Sequence, residues 1–263
     1  MTVSSIFSPG YVAHHPAVHR IGTADLRMAL AKGWADFLDN PTHVIFVVMI
    51  YPIAGVVIAA ATFENNLVPL LFPLASGFAL VGPFAAIGLY EMSRRREQGQ
   101  STDWVQAYAP LTSRSLRPLL AVGLLLAAIF VAWITVAMAI YHALFDGAVY
   151  GSVGAFLADV LTTPRGWALI LVGNLVGAAF SLLALAVSAV SVPLLVDRDM
   201  DASTAIETSI ALMRRNPGTM VLWGLIVAAL LVVGMATLFV GLAIVLPVLG
   251  HATWHLYRRS VGH

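Results

Sequence analysis

Two histidines one helical turn apart, His251 and His255, are the pair in this chain best spaced for chemistry. The i, i+4 spacing puts both imidazoles on one helix face, where they can share a metal ion. No Glu lies beside the first His to act as general base, so the helical zinc-protease pattern is absent. Catalytic zinc usually takes three protein ligands. Glu91 stands in the position related to His255 by an internal repetition described below, so the candidate metal set is His251, His255 and Glu91. The plainer reading is that His, Trp and Tyr simply gather where a helix leaves a bilayer.

Other chemistries find less support. Axial haem ligation needs two His at similar depth on facing helices, whereas His43 and His142 sit at opposite ends of their apolar runs. The chain has no Cys, which excludes disulfides, thiolate metal sites and cysteine nucleophiles. Neither a Gly-rich phosphate loop nor a Lys-bearing P-loop is present, and no Ser, His and acid arrangement stands out. Asp197, Asp199 and Asp201 share one short stretch with Arg198, where they neutralise charge and start the next helix. No catalytic residue and no cofactor is expected, and the chain reads as a non-enzyme.

The elements that must position these residues are membrane helices. Only 10% of the residues are charged and 60% are hydrophobic, with mean hydropathy +0.89. Soluble domains are typically about a quarter charged. The net charge of +1 gives no case for nucleic-acid binding. Apolar runs occupy residues 43–63, 67–90, 119–145 and 167–196, each near or above the ~20 residues that cross a bilayer core. A fifth run, 219–257, would reach roughly 58 Å as one helix at ~1.5 Å per residue, so it divides into two spans at a turn between Gly234 and Gly241. Of the 14 Lys and Arg residues, all but Arg165 lie in residues 20–32, 94–117, 198–215 and 258–259. Cytoplasmic loops retain such residues. Six spans put all four stretches on one side, so both termini are expected in the cytoplasm. The region 146–165 then faces out, with a Gly-rich loop and a short helix near 157–161.

Three basic-side segments, 23–38, 101–116 and 201–215, each end at a Pro directly before a span. Their apolar stripes are Leu26, Leu30, Trp34 and Phe37; Trp104, Tyr108 and Leu111; and Ile206, Ile210 and Met213. They are expected as amphipathic helices in the headgroup plane, the first capped by Thr23, with Arg27, Lys32 and Arg214 reaching toward phosphates or water. Pro83 and Pro247 each precede an aromatic residue by seven positions and an Arg by eleven, and Pro193 holds a related place. This pattern reads as a possible three-fold repeat of interfacial helix plus membrane hairpin. Within the fourth run, Gly173, Asn174, Gly177 and Ser181 form a small-residue stripe, expected to pack against another helix more than to line a pore.

Several stretches resemble one family closely. They are Gly82-Pro83-Phe84-Ala85-Ala86-Ile87-Gly88-Leu89-Tyr90-Glu91, the region around Val196-Asp197-Arg198-Asp199, Asn216-Pro217-Gly218-Thr219, and Leu249-Gly250-His251-Ala252-Thr253-Trp254-His255-Leu256-Tyr257. The chain from Arg20 onward is similar to the bacterial integral membrane proteins catalogued as domain of unknown function 2189. The resemblance implies a bacterial inner-membrane protein and assigns no activity or site residue. The expectation is therefore an all-α, six-helix membrane bundle: a flexible cytoplasmic tail at 1–22 and one membrane domain at 23–263. As partners it implies the lipid bilayer and other membrane proteins or further copies of itself. Its role would be that of a scaffold, assembly factor or accessory subunit, with a small-solute permease as the alternative and a metal- or haem-binding membrane protein as a remoter one.

Overall fold

The computed structural model describes residues 16–39, 82–102, 112–237 and 240–262, together with positions 69, 73, 74, 107, 109 and 110. The expected first span, half of the second and the stripe of Trp104, Tyr108 and Leu111 lie outside the described residues. The described residues form ten α-helices: α1 (Thr23–Asp39), α2 (Gly82–Ala85), α3 (Ile87–Glu97), α4 (Leu116–Phe145), α5 (Val153–Thr162), α6 (Pro164–Ser188), α7 (Ser191–Asp197), α8 (Ala202–Arg215), α9 (Pro217–Ala236) and α10 (Leu242–Ser260). No strand occurs among the described residues; one antiparallel bridge joins Val18 to Val261.

Among the described residues three helical stretches are long and apolar enough to cross a membrane: α4, α6 continued by α7, and α9. The long C-terminal run breaks between Ala236 and Leu242, where sequence length required a turn. A Cβ on Gly241 would lie 2.4 Å from Thr237 Oγ1 and 3.0 Å from Gly234 Cα, so the hairpin closes on glycine at its tightest point. The connector 146–165 also follows expectation. Asp146 and Gly147, at φ 51° and 70°, turn the chain out of α4, and Ser152 caps α5 by accepting from the Ala155 N–H. Arg165, the one cation at this end, is held by Asp159 at 2.5 Å and lies 4.8 Å over the Phe145 ring.

The molecule changes character along its length. Over much of α4, α6 and α9, large apolar side chains such as Leu124, Leu171, Leu175 and Leu225 point outward, as lipid-facing helices require. At the basic end two segments are enclosed on all sides. Every residue from Ser191 to Val196 in α7 is buried, as is most of α10 from Pro247 to Tyr257. Helices apolar all round belong inside a bundle. The break between α6 and α7 has a local cause. Pro193 cannot donate to Ala189 and its ring crowds that carbonyl, while Ser188 and Ser191 bond back to their own i−4 carbonyls. Ser209 Oγ on α8 accepts the Val190 N–H at 3.4 Å. Pro247, in contrast, lies within α10 without ending it.

Two of the amphipathic segments pack on faces that only partly coincide with the expected apolar stripes. The buried face of α1 is Leu26, Ala29, Gly33, Asp36 and Phe37, while Trp34 is 46% exposed. Gly33 explains why: a Cβ there would lie 2.6 Å from the Ala252 backbone nitrogen. Contacts of Asp25 with Arg259, Gly33 with Ala252 and Asp36 with His251 run in opposite directions along the two chains. Helix α1 is therefore an antiparallel partner of α10 over most of its length. Its first turn closes one residue before Thr23, on the Gly22 carbonyl, and Asp25 accepts the Gly22 N–H. On α8 the buried face is Thr204, Ala205, Thr208, Ser209 and Leu212, with Ile206 and Met213 half-buried. Close helix approach selects small side chains, so both packed faces are the small-residue ones. Helix α4 likewise starts at Leu116, with Pro118 in its first turn and not before it.

Candidate functional site

Antiparallel pairing of α1 on α10 carries Asp36 to the two histidines. Asp36 is 5% exposed, yet its carboxylate is fully engaged. Oδ2 accepts from Ser93 Oγ at 2.5 Å and meets His255 Nε2 at 2.9 Å, while Oδ1 receives Arg96 Nη1 at 2.5 Å. Ser93 also lies 2.8 Å from His251 Nδ1. The other side of the His255 ring faces Glu97, with Nδ1 to Oε1 at 3.5 Å, and Glu97 Oε2 takes Arg258 Nε at 3.0 Å. Arg258 continues to Asp197 at 3.2 Å, and Asp197 accepts the Tyr257 hydroxyl at 2.6 Å. One chain of charge-assisted bonds thus ties α1, α3, α7 and α10 together.

The electrostatics follow from those partners. Burial pushes the Asp36 carboxyl up, but hydrogen bonds from His255 and Ser93 and the nearby imidazole charge outweigh it and hold the group below the usual Asp value. Burial also opposes ionisation of Glu97, and the facing His255 ring with the Arg258 guanidinium again reverses the balance. A cleft of about 260 Å³ opens beside the cluster, lined by Lys32, Ala35, Asp36, Ser93, Arg96, Glu97 and His255. Ser93 Oγ is engaged by both Asp36 and His251.

The proposed metal set is only partly brought together. His251 and His255 share a buried face, but their Nδ1 and Nε2 atoms, respectively, turn to Ser93 and Asp36. Glu91 is fully buried, and its carboxylate is engaged by Arg94 at 2.7 Å and Arg95 at 2.8 Å on its own helix. Among the described residues no three His, Asp or Glu side chains form a group that could hold a metal ion. His142 caps the far end of α4, accepting through its carbonyl the Asp146 N–H at 2.9 Å. The four stripe residues separate as well. Gly177 packs against Trp133, at 3.1 Å from an added Cβ, but Gly173 meets open space. Asn174 and Ser181 are exposed, and Asn174 Nδ2 donates to Ile170 of its own helix at 2.7 Å.

Sequence reading had not singled out Asp36, Ser93, Arg96 or Glu97. The available signal was the 26, 29, 33, 36 spacing of Leu, Ala, Gly and Asp, passed over for a bulkier stripe on the same helix. A second polar junction was equally hidden. Asn216 Oδ1 accepts the Ile21 N–H at 2.9 Å and its Nδ2 donates to the His19 carbonyl at 3.0 Å. His19 N–H and Gly262 N–H donate to the carbonyls of Ser260 and Ala17 at 2.8 and 2.7 Å. The segment before α1 and the segment after α10 therefore lie side by side at the basic end.

Helical bundles with outward apolar faces and a polar, basic end are integral membrane proteins, and this chain is one. Residues 71–197 match the family described as "Predicted integral membrane protein (DUF2189)", the family resembled on sequence grounds. The motifs at 216–219 and 249–257 fall beyond the matched residues. No curated protein and no solved structure matches the chain.

Proposed function

We propose that the protein is a non-catalytic component of a larger assembly in the bacterial inner membrane, a scaffold or accessory subunit that docks another membrane helix on α6. The observation that carries this reading is Asn174, an amide on the outward surface of an apolar span. Beside it Gly173 leaves open space, and Ser181 continues the same surface. Such a surface suits close approach of a second helix with a hydrogen bond across the contact.

Six spans with cytoplasmic termini complete the proposal. The basic residues favour that orientation. Asp39 meets Arg96, so the residues flanking the runs 43–63 and 67–90 lie at one end, which suits a hairpin of two spans. The three-fold repeat keeps some support from the placing of Pro83, Pro193 and Pro247: helices break beside Pro83, at Ala86, and before Pro193, while α10 runs on through Pro247.

Because the natural chain has no Cys, Gly173→Cys supplies a unique thiol for cross-linking in native membranes. A single defined cross-linked product, lost when Asn174→Leu is added, is the expected result. A chain that stays monomeric and uncross-linked would remove the scaffold reading. Solute uptake by reconstituted vesicles that depends on Asn174 would replace it with the permease.

A further inference from the structure

The basic end sorts its charges into two populations. Arg94, Arg95, Arg96, Arg258 and Arg259 turn inward to Glu91, Asp36, Glu97, Asp197 and Asp25. Asp201 is occupied as the cap of α8. Arg198 is half-buried, between Asp197 and the Gly262 carbonyl. The other cations of this end are exposed and make no ion pair among the described residues, and they fall into three groups. The backbone on either side of Arg20 is bound to Asn216, which Arg214 and Arg215 directly precede, so the three arginines flank one junction of the chain. Arg114 and Arg117 flank the start of α4, and Arg27 and Lys32 lie on the outer side of α1.

Each group adjoins exposed apolar side chains. Arg117 is followed by Leu120 and Leu124, Arg215 by Val221 and Leu222, and Lys32 is bracketed by Met28, Trp34 and Leu38. Cations that meet lipid-facing residues at the start of a membrane helix sit at headgroup depth. An acidic soluble protein or a nucleic acid would account for the charges but not for the apolar neighbours.

We infer that this rim is a binding surface for anionic phospholipid headgroups, with the cluster of Arg20, Arg214 and Arg215 as its densest part. Guanidinium groups pair two N–H donors with phosphate oxygens, which favours Arg here. Anionic lipid in the leaflet concentrates around such cations, and the attraction weakens with salt.

The test uses the full chain, exchanged in mild detergent against an equal mixture of phosphatidylglycerol and phosphatidylcholine, with retained lipid quantified by mass spectrometry. The wild type is expected to retain phosphatidylglycerol in several-fold excess, with less excess in high salt. Replacing Arg20, Arg214 and Arg215 by Gln should lower that excess by at least roughly fivefold, the contribution of about one basic side chain near an anionic surface. Arg165→Gln, at the opposite end, should leave it unchanged. Quenching of Trp34 by brominated phosphatidylglycerol gives a second readout that does not depend on the triple variant folding. Equal retention of both lipids, or no quenching of Trp34, would overturn the proposal. So would capture of a soluble polyanion by the three arginines with no preference among lipids.

Discussion

At the scale of single residues, Asp36 holds most together. Its buried carboxylate meets His255, Ser93 and Arg96, groups from two other helices. Asp36→Ala would remove the nearest counter-charge from a buried imidazole and from a guanidinium, leaving Glu97 and Asp39 as their remaining partners. Removal of one partner from such a cluster typically costs about 3 kcal/mol or more. A matching fall in thermal stability in detergent is the expected measurement, with Asp36→Asn milder because the amide keeps some hydrogen bonds. The pH dependence has a definite sign. Asp36 and Glu97 are both held below their ordinary values, so folding is favoured by their ionisation. That contribution is complete above about pH 4.5 and lost as the pH falls below about 4 through the lowered values. Thermal midpoints between pH 6 and 3 should drop for the wild type and flatten for Asp36→Asn.

Helices add a second set of expectations, because their termini and contact faces follow separate rules. Asp201 caps α8 by accepting the Thr204 N–H at 3.0 Å. Burial alone would push its carboxyl up, but bonds from Ser203 and Thr204 bring it down to about 2. Asp201→Ala should destabilise the protein by about 1 kcal/mol, the usual worth of a cap, read from denaturant unfolding. The contact of α1 with α10 rests on Gly33. Gly33→Leu has no room against the Ala252 backbone and should displace α1, costing about 1–3 kcal/mol and making Asp36 accessible to solvent. Faster hydrogen exchange over residues 23–39, with α4 unaffected, would be the signature. Uniform protection across both helices would show that α1 does not depend on this close approach.

For the molecule as a whole, the expectation concerns sidedness. Gln98 follows Glu97, which meets the C-terminal end of α10, whereas Gly151 lies in the connector between α4 and α5 at the other end. Reporter fusions at Gln98 and after His263 should therefore agree with each other and disagree with one inserted at Gly151. A cytoplasmic signal at Gly151 would overturn the orientation. Much of this level was legible without coordinates. Spans 119–145 and 167–196 became helices Leu116–Phe145 and Pro164–Asp197, and the 219–257 run divided where its length demanded. Burying backbone polar groups in a bilayer leaves the chain few choices, so length and charge suffice to place helices and connectors. Which helix faces touch is settled by shape. The stripe at Gly173, Asn174 and Ser181 points outward, while the overlooked Ala29, Gly33 and Asp36 pack tightly. Asp36 and His255 are far apart in the chain, and only the antiparallel pairing of α1 with α10 makes them neighbours. Local sequence carries membrane transfer energy and helix-ending chemistry, but a contact between distant helices depends on steric fit that neither segment encodes alone.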